Sequence, residues 1–406
     1  DTVRRDIREC RSAVATLPRA HLVEMILEVV HANGTRTWHR VGELPLTLGR
    51  GFANDLILDD PYVDAQHARL VRDGSGAFVL QDLGSVNGIV TNSTRQFGAI
   101  ALGPGDSVRV GRTTLRIHDP NRDLTDAPAE IVAAERSRVA LEGWGPRLLD
   151  QQRPDGQWGD GVATPFWWSN MYTLLFLRDL GLDPTSVRAR NAIDLVRDNV
   201  TWGPEWGHSP FFEGEVEPCI NGRVVALGAY FGERSDRLVD RLLSEQLVDG
   251  GWNCEAERGS VRSSFHTTIC VLEGLLAFEK AFGATSPVTD ARRRAQEYLL
   301  ERHLLRRLST GEVIEPAWTQ FAFPTLWHYD VLRALDYLRA AGVQPDARIE
   351  EAIVIVDERR QGDGCWLLDV RHRDTLHEEL AGAVGAPNRW ITLRARRVLD
   401  WHARRD

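Results

Sequence analysis

The sequence predicts two structural classes in one chain: an all-β sandwich over residues 22–118, then an all-α ring of about five helix pairs over residues 127–406. Three observations carry this. Short segments alternate apolar and polar side chains from residue 22 to 118, and the hydrophobic period becomes helical from about residue 127. Composition also breaks near residue 120: of the 13 tryptophans only Trp38 lies before it. Residues 1–120 balance 14 arginines against 14 acidic residues, so the net charge of −9 belongs to the second part.

Taken in order, residues 1–21 read as a short amphipathic helical extension. Leu22–Val30, Leu46–Leu48, Leu56–Leu58, Ala68–Val71, Ala77–Leu80, Ser107–Val110 and Thr114–Ile117 read as strands, separated by turns such as Asn33-Gly34, Asp73-Gly74 and Gly103-Pro104-Gly105. The polar, proline-bearing stretch 119–126 reads as a linker. Beyond it, outer helices are expected near 128–152, 186–200, 236–247, 289–305 and 346–360. Inner helices are expected near 165–181, 219–232, 262–282, 325–341 and 389–403. A turn recurs between outer and inner helices as Gln152-Arg-Pro-Asp-Gly-Gln-Trp158, Gln246-Leu-Val-Asp-Gly-Gly-Trp252 and Gln361-Gly-Asp-Gly-Cys-Trp366. Two degenerate copies lie at Trp202–Trp206 and Gly311–Trp318. Glycine supplies the stop and tryptophan a plug between neighbouring helix pairs.

Composition excludes several classes. No apolar run approaches the ~20 residues of a membrane span, and the acidic balance with pI near 5.8 argues against a nucleic-acid surface. Five unpatterned cysteines, Cys10, Cys219, Cys254, Cys270 and Cys365, suggest a reducing compartment and a cytoplasmic protein. Nothing present looks like a signal peptide.

Gly49-Arg50, Asn54-Asp55, Val63-Asp64-Ala65-Gln66-His67-Ala68 and Asp82-Leu-Gly-Ser85-Val-Asn87-Gly88, in that order, resemble the forkhead-associated (FHA) domain over 22–118. The resemblance implies that Arg50 and residue 64 hold a phosphothreonine, that Asn87 fixes the peptide backbone, and that His67 is structural. Asp64 departs from the family, which has a serine there. A carboxylate repels phosphate where a hydroxyl would donate to it, so phosphothreonine binding is expected to be weak or lost. Asp64 pairing with Arg50 would close the site, leaving a sandwich that binds partners without reading phosphate or serves as a spacer.

The repeated Gln-x-x-Asp-Gly-x-Trp turns resemble the α/α toroid of squalene cyclases, terpenoid cyclases and protein prenyltransferases over 127–406. Asp249–Cys254, Ser263–Thr268 and Trp327–Arg333 bring the likeness nearest to bacterial prenyltransferase/squalene oxidase repeat proteins. The resemblance implies an apolar or isoprenoid ligand in a cavity lined by Trp167, Trp168, Tyr172, Phe265, Trp327, Tyr329 and Trp390. The family's Asp-x-Asp-Asp acid and zinc-binding Asp-x-Cys motifs are absent, and Asp59-Asp60-Pro-Tyr-Val-Asp64 lies in the sandwich with the wrong spacing for a metal cluster. Asp330 and Glu217, near inner-helix starts, are the candidate catalytic acids, or simply helix-terminal carboxylates. Two readings stay open: an enzyme acting on an isoprenoid, or a non-catalytic module that holds a lipid or peptide while the sandwich recruits a protein partner. Cys219 begins one inner helix, Cys254 lies just before the next, His266 is in that helix's first turns and His328 opens the one after; inner-helix starts share one rim of a toroid, and two thiolates and two imidazoles there would make a tetrahedral zinc set.

Overall fold

A computed structural model describes residues 25–41, 44–74, 77–103, 105–118, 129–159, 166–203, 208–372 and 382–403. The expected N-terminal extension and the expected linker at 119–126 lie outside the described residues, as do the side chains of Trp167 and Trp168. The chain divides into two compact units, Asp1–Ile131 and Val132–Asp406.

Two sheets face one another in the first unit. β1 (Ile26–Val30), β2 (Arg36–Arg40), β7 (Ile89–Thr91), β8 (Thr94–Gln96), β10 (Ser107–Val110) and β11 (Thr113–His118) run in the order β2-β1-β11-β10-β7-β8. β3 (Leu46–Gly49), β4 (Leu56–Ile57), β5 (Ala68–Arg72), β6 (Phe78–Asp82) and β9 (Ala99–Leu102) run in the order β4-β3-β5-β6-β9. Alternation places one face of each strand inside: Leu27 and Val29 of β1 lie opposite Ile117 and Leu115 of β11, and all four are buried with Leu48, Leu70 and Leu80 of the other sheet. β2 and β8 escape the sequence pattern because both are edge strands: β8, Thr-Arg-Gln, is exposed throughout, and β2 reads Arg-Thr-Trp-His-Arg.

The second unit is helical, with α1 (Ala129–Val139), α2 (Trp144–Asp150), α3 (Phe166–Asp179), α4 (Val187–Asn199), α5 (Pro218–Phe231) and α6 (Asp236–Ser244). There follow α7 (Phe265–Phe282), α8 (Ser286–Glu301), α9 (Val331–Ala340), α10 (Glu350–Glu358) and α11 (Arg389–Ala403). α3, α5, α7, α9 and α11 touch in succession, while α4, α6, α8 and α10 pack against this row. α5 and α7 approach most closely because Gly222 and Gly274 face each other: a Cβ on Gly274 would lie 2.2 Å from the Gly222 carbonyl oxygen, closer than any side chain tolerates. Among the described residues no helix is long and apolar enough to cross a membrane.

The recurring turn has one construction three times. The Trp158, Trp252 and Trp366 rings are buried, and each indole N–H donates at 2.7 Å to a carbonyl near the end of the preceding outer helix: Leu148, Leu242 and Val356. Those carbonyls lie in the last turn of their helices, where backbone donors run short, so the indole helps to cap the helix while the ring fills the core. The backbone N–H of each of the three donates to a side chain of the following inner helix or its cap, Asn170, Thr268 or Thr392. Gln246 extends the link sideways, its amide donating to Gly250 in its own turn and to Ala291 of α8. Trp202, from a degenerate copy, is also buried but bonds forward, to the Phe211 carbonyl.

Candidate functional site

Three loops at one end of the sandwich carry Arg50, Asp64 and Asn87, and a hydrogen-bond net fixes them to each other. Gly49 permits the close approach, since a Cβ there would lie 2.4 Å from the Ala65 carbonyl oxygen. The Arg50 N–H donates to the Asp64 carbonyl at 2.9 Å, and the Asn54 amide donates to the Ala65 carbonyl at 2.6 Å. The buried His67 accepts the Asp64 N–H on Nδ1 at 3.1 Å, which leaves Nε2 to donate to the Gly88 carbonyl at 3.0 Å. Beneath the loops the fully buried Asp60 accepts from the Tyr62 and Arg112 N–H groups and the Thr113 hydroxyl. Burial works to raise its pKa, but these hydrogen bonds outweigh it and hold the carboxyl below the ordinary range.

Asp64 turns away from Arg50. Its Oδ2 accepts the Val86 N–H at 2.7 Å, tying the second loop to the third, and the alternative Arg50–Asp64 pair does not form. A backbone donor outcompetes the guanidinium because it is held in place by the Ser85 hydroxyl's bond to Gly88, whereas the Arg50 side chain stands exposed. The Asn87 amide donates to the Tyr62 carbonyl at 2.9 Å. Four apolar side chains on the same loops project outward: Phe52 is 94% exposed, Val86 78%, Tyr62 46% and Leu83 41%. Sequence reasoning passed over them as loop residues; the usable signal was a large apolar side chain inside otherwise polar, glycine-bearing turns. Arg112 stacks on Tyr62 with its guanidinium carbon 4.3 Å from the ring centroid.

In the helical unit the candidate residues separate into distinct places. Asp330 caps α9, its carboxylate accepting the Arg333 N–H at 2.7 Å. Burial raises its pKa to about 6, against the pull of that hydrogen bond and of nearby Arg394 and Arg333. Because the folded-state value lies above the unfolded 3.8, this group costs about 3 kcal/mol above pH 6, and the cost disappears as pH falls towards 4. Asp330→Asn keeps the cap acceptor without the charge. Unfolding measured from pH 4 to 8 is expected to lose this contribution to the pH slope in the variant, with stability at pH 7 equal or higher; an unchanged slope would contradict the assignment.

Cys219 and Cys254 come together, but His266 and His328 do not join them. Cys219, Cys254 and the Glu217 carboxylate have donor atoms within 4.8 Å of one another, with Cys219 Sγ 3.8 Å from Glu217 Oε2. His266 instead accepts the Tyr329 N–H on Nδ1 at 2.8 Å, and His328 lies stacked between Trp327 and His372. Burial and the neighbouring cationic groups lower both imidazoles, His266 to about 4 and His328 to about 3, so both are neutral at pH 7.

The aromatic set is spent largely on packing. Phe265 packs against Trp318 at 4.6 Å and Tyr329 at 5.0 Å, Trp390 stacks on Phe323 at 5.1 Å, and Tyr172 is buried 5.0 Å from the Arg223 guanidinium carbon. Two cavities in this unit are charged rather than uniformly apolar. One of 720 Å³ takes Phe265, His266 and Trp318 into its wall together with Arg262, Arg302, Arg307 and three serines. The other, of 330 Å³, is lined by Arg178, Lys280, Arg333 and Arg394 against Asp179, Glu273 and Asp336.

The comparison with known families matches residues 46–111 to the FHA domain. The "FHA domain-containing protein FhaB" of Mycolicibacterium smegmatis is 32% identical over 116 residues, 28% of this chain and 73% of that protein. FhaB of Mycobacterium tuberculosis is 34% identical over 91 residues; this is 22% of the present chain, which spans 58% of that relative's length. Among solved structures, the FHA domain of an Arabidopsis thaliana hypothetical protein is 26% identical, covers 26% of this chain and 93% of that one, and gives a TM-score of 0.22.

Proposed function

We propose that this chain, which belongs to the FHA domain-containing proteins through its N-terminal sandwich, is an adaptor whose three-loop face docks a segment of a protein partner. The observation that carries the reading is the face itself. A rigid hydrogen-bonded loop set presents the exposed Arg50 beside Phe52, Tyr62 and Val86, an arrangement suited to an extended peptide with apolar side chains and an anionic group. Asp64 weakens the phosphate component: it places a carboxylate where a phosphothreonine needs a donor, and its bond to Val86 holds it there. Affinity on this reading comes chiefly from apolar and backbone contacts.

For the helical unit, the three Trp turns with the same indole bond and the two-row helix packing support an α/α toroid, and the charged walls of its cavities favour a ligand-holding role over cyclisation of a polyene. The test uses the intact chain on a peptide library synthesised with and without phosphothreonine. Peptides are expected to bind in both forms, and Phe52→Ser with Val86→Ser is expected to weaken them at least about tenfold while leaving the unfolding midpoint unchanged. Binding that ignores this pair of substitutions, or turnover of squalene or a prenyl diphosphate seen by mass spectrometry, would overturn the adaptor reading.

A further inference from the structure

We propose that Glu217, Cys219 and Cys254, supported by Glu215, form a zinc site at the start of α5. The approach of α5 to α7 through Gly222 and Gly274 brings Cys219, in the first turn of α5, beside Cys254, which opens the short turn after Trp252. Cys254 is oriented by the Thr267 hydroxyl, 3.3 Å from its sulfur. Glu217 occupies the N-cap of α5 but makes no capping bond with its side chain, so its carboxylate remains available.

The geometry fits the ion. Zinc bonds of about 2.3 Å to sulfur and about 2.1 Å to oxygen at a tetrahedral angle separate the two donors by about 3.6 Å; Cys219 Sγ and Glu217 Oε2 are 3.8 Å apart. All three donor atoms lie within 4.8 Å of one another; Cys219 is buried, while Glu217 and Cys254 are half-buried and leave a path for entry on their side. Two thiols with carboxylate suit zinc better than calcium or magnesium, which take oxygen alone.

Glu215 lies beside these three. It is fully buried and accepts from no side chain, the Val216 and Glu217 N–H groups being the donors nearest its carboxylate. Its backbone is pinned by Asn221, whose side chain bonds both the N–H and the carbonyl of Glu215, so the carboxyl cannot swing out to water without breaking that pair. Glu217 and Cys254 are its electrostatic neighbours, both of the same sign when ionised. Among the described residues no arginine, lysine or histidine forms an ion pair with Glu215 or Glu217. A zinc ion there would bring positive charge to this group of acids and thiols, each coordinating thiol releasing its proton to solvent. The Glu217 carboxylate thus stands with the two thiols where the sequence pattern placed His266 and His328.

The full chain, purified under reducing conditions, is expected to hold about one equivalent of zinc by elemental analysis. Cobalt added in its place is expected to give a thiolate-to-cobalt charge-transfer band, reduced to about half in Cys254→Ser and kept in Cys365→Ser. Glu217→Gln should weaken zinc at least about tenfold in competition with a chromogenic chelator. Should Cys254→Ser fail to fold, the wild-type cobalt spectrum and Glu217→Gln still decide. Folded wild-type protein that binds neither metal, a cobalt spectrum without thiolate bands, or a Cys219–Cys254 disulfide that forms in place of the metal would overturn the proposal.

Discussion

Replacing Trp252 by alanine is expected to destabilise the helical unit by about 3–5 kcal/mol, the range for truncating a buried aromatic. Two losses combine. The ring is completely buried in the core between α6 and α7, and its removal leaves a void that helices locked by their neighbours cannot close. The indole N–H also caps the Leu242 carbonyl at 2.7 Å, and that acceptor, in the last turn of α6, has no replacement. Trp252→Phe separates the terms: it refills most of the void without the donor and is expected to cost about 1–2 kcal/mol. Equilibrium urea unfolding followed by far-ultraviolet circular dichroism measures both. A loss below about 1 kcal/mol for alanine would mean that the repeated turn does not hold the helix pairs together.

Glu273→Ala is expected to cost about 3 kcal/mol or more. Arg333 is almost wholly buried, with 3% of its side chain exposed, and its guanidinium donates to both Glu273 oxygens at 2.8 and 2.7 Å and to the carbonyls of His328 and Leu326. Burial acts to raise the Glu273 carboxyl, but the Arg333 charge overcomes it and holds the pKa at about 2. Its contribution to stability is therefore complete above the ordinary value near 4.5 and is lost as pH falls from there towards 2. Removing the carboxylate alone leaves a buried guanidinium without its counter-ion, whereas Glu273→Leu with Arg333→Met removes both charges and is expected to recover much of the loss. Because Glu273 is 28% exposed, water relieves part of the penalty, which places the expectation at the lower end of the range for buried pairs. Thermal unfolding of the single and double variants at pH 7 checks this, and a double variant no better than Glu273→Ala would contradict it.

These cases mark what was legible in sequence. The Gln/Trp turns could be found because one local motif, stop then plug, recurs with its glycine and tryptophan at constant spacing. Strands β1, β5, β10 and β11 announced themselves by alternation, while β2 and β8 did not, since edge strands need no buried face. Cys219 and Cys254 come together, Cys219 from the first turn of α5 and Cys254 from the short turn after Trp252. The fate of His266 was not legible, because the Tyr329 N–H that engages it comes from another part of the chain. Glu215 was invisible for a similar reason: nothing local says that a glutamate after Gly214 will be buried with no side-chain donor. Asp64 was recognised as a departure, but its choice of Val86 over Arg50 depends on how the third loop is folded.

Phosphate reading by the loop face is tested most directly by titrating one threonine peptide, phosphorylated and not, into wild type, Asp64→Ser and Arg50→Ala by isothermal calorimetry. Removing the carboxylate and supplying a hydroxyl donor is expected to raise affinity for the phosphorylated form by at least about tenfold, or about 1.4 kcal/mol, with little change for the unphosphorylated form. Wild type is expected to separate the two forms by less than about tenfold. Tight, phosphate-dependent binding by wild type that Arg50→Ala abolishes and Asp64→Ser leaves unchanged would contradict the account.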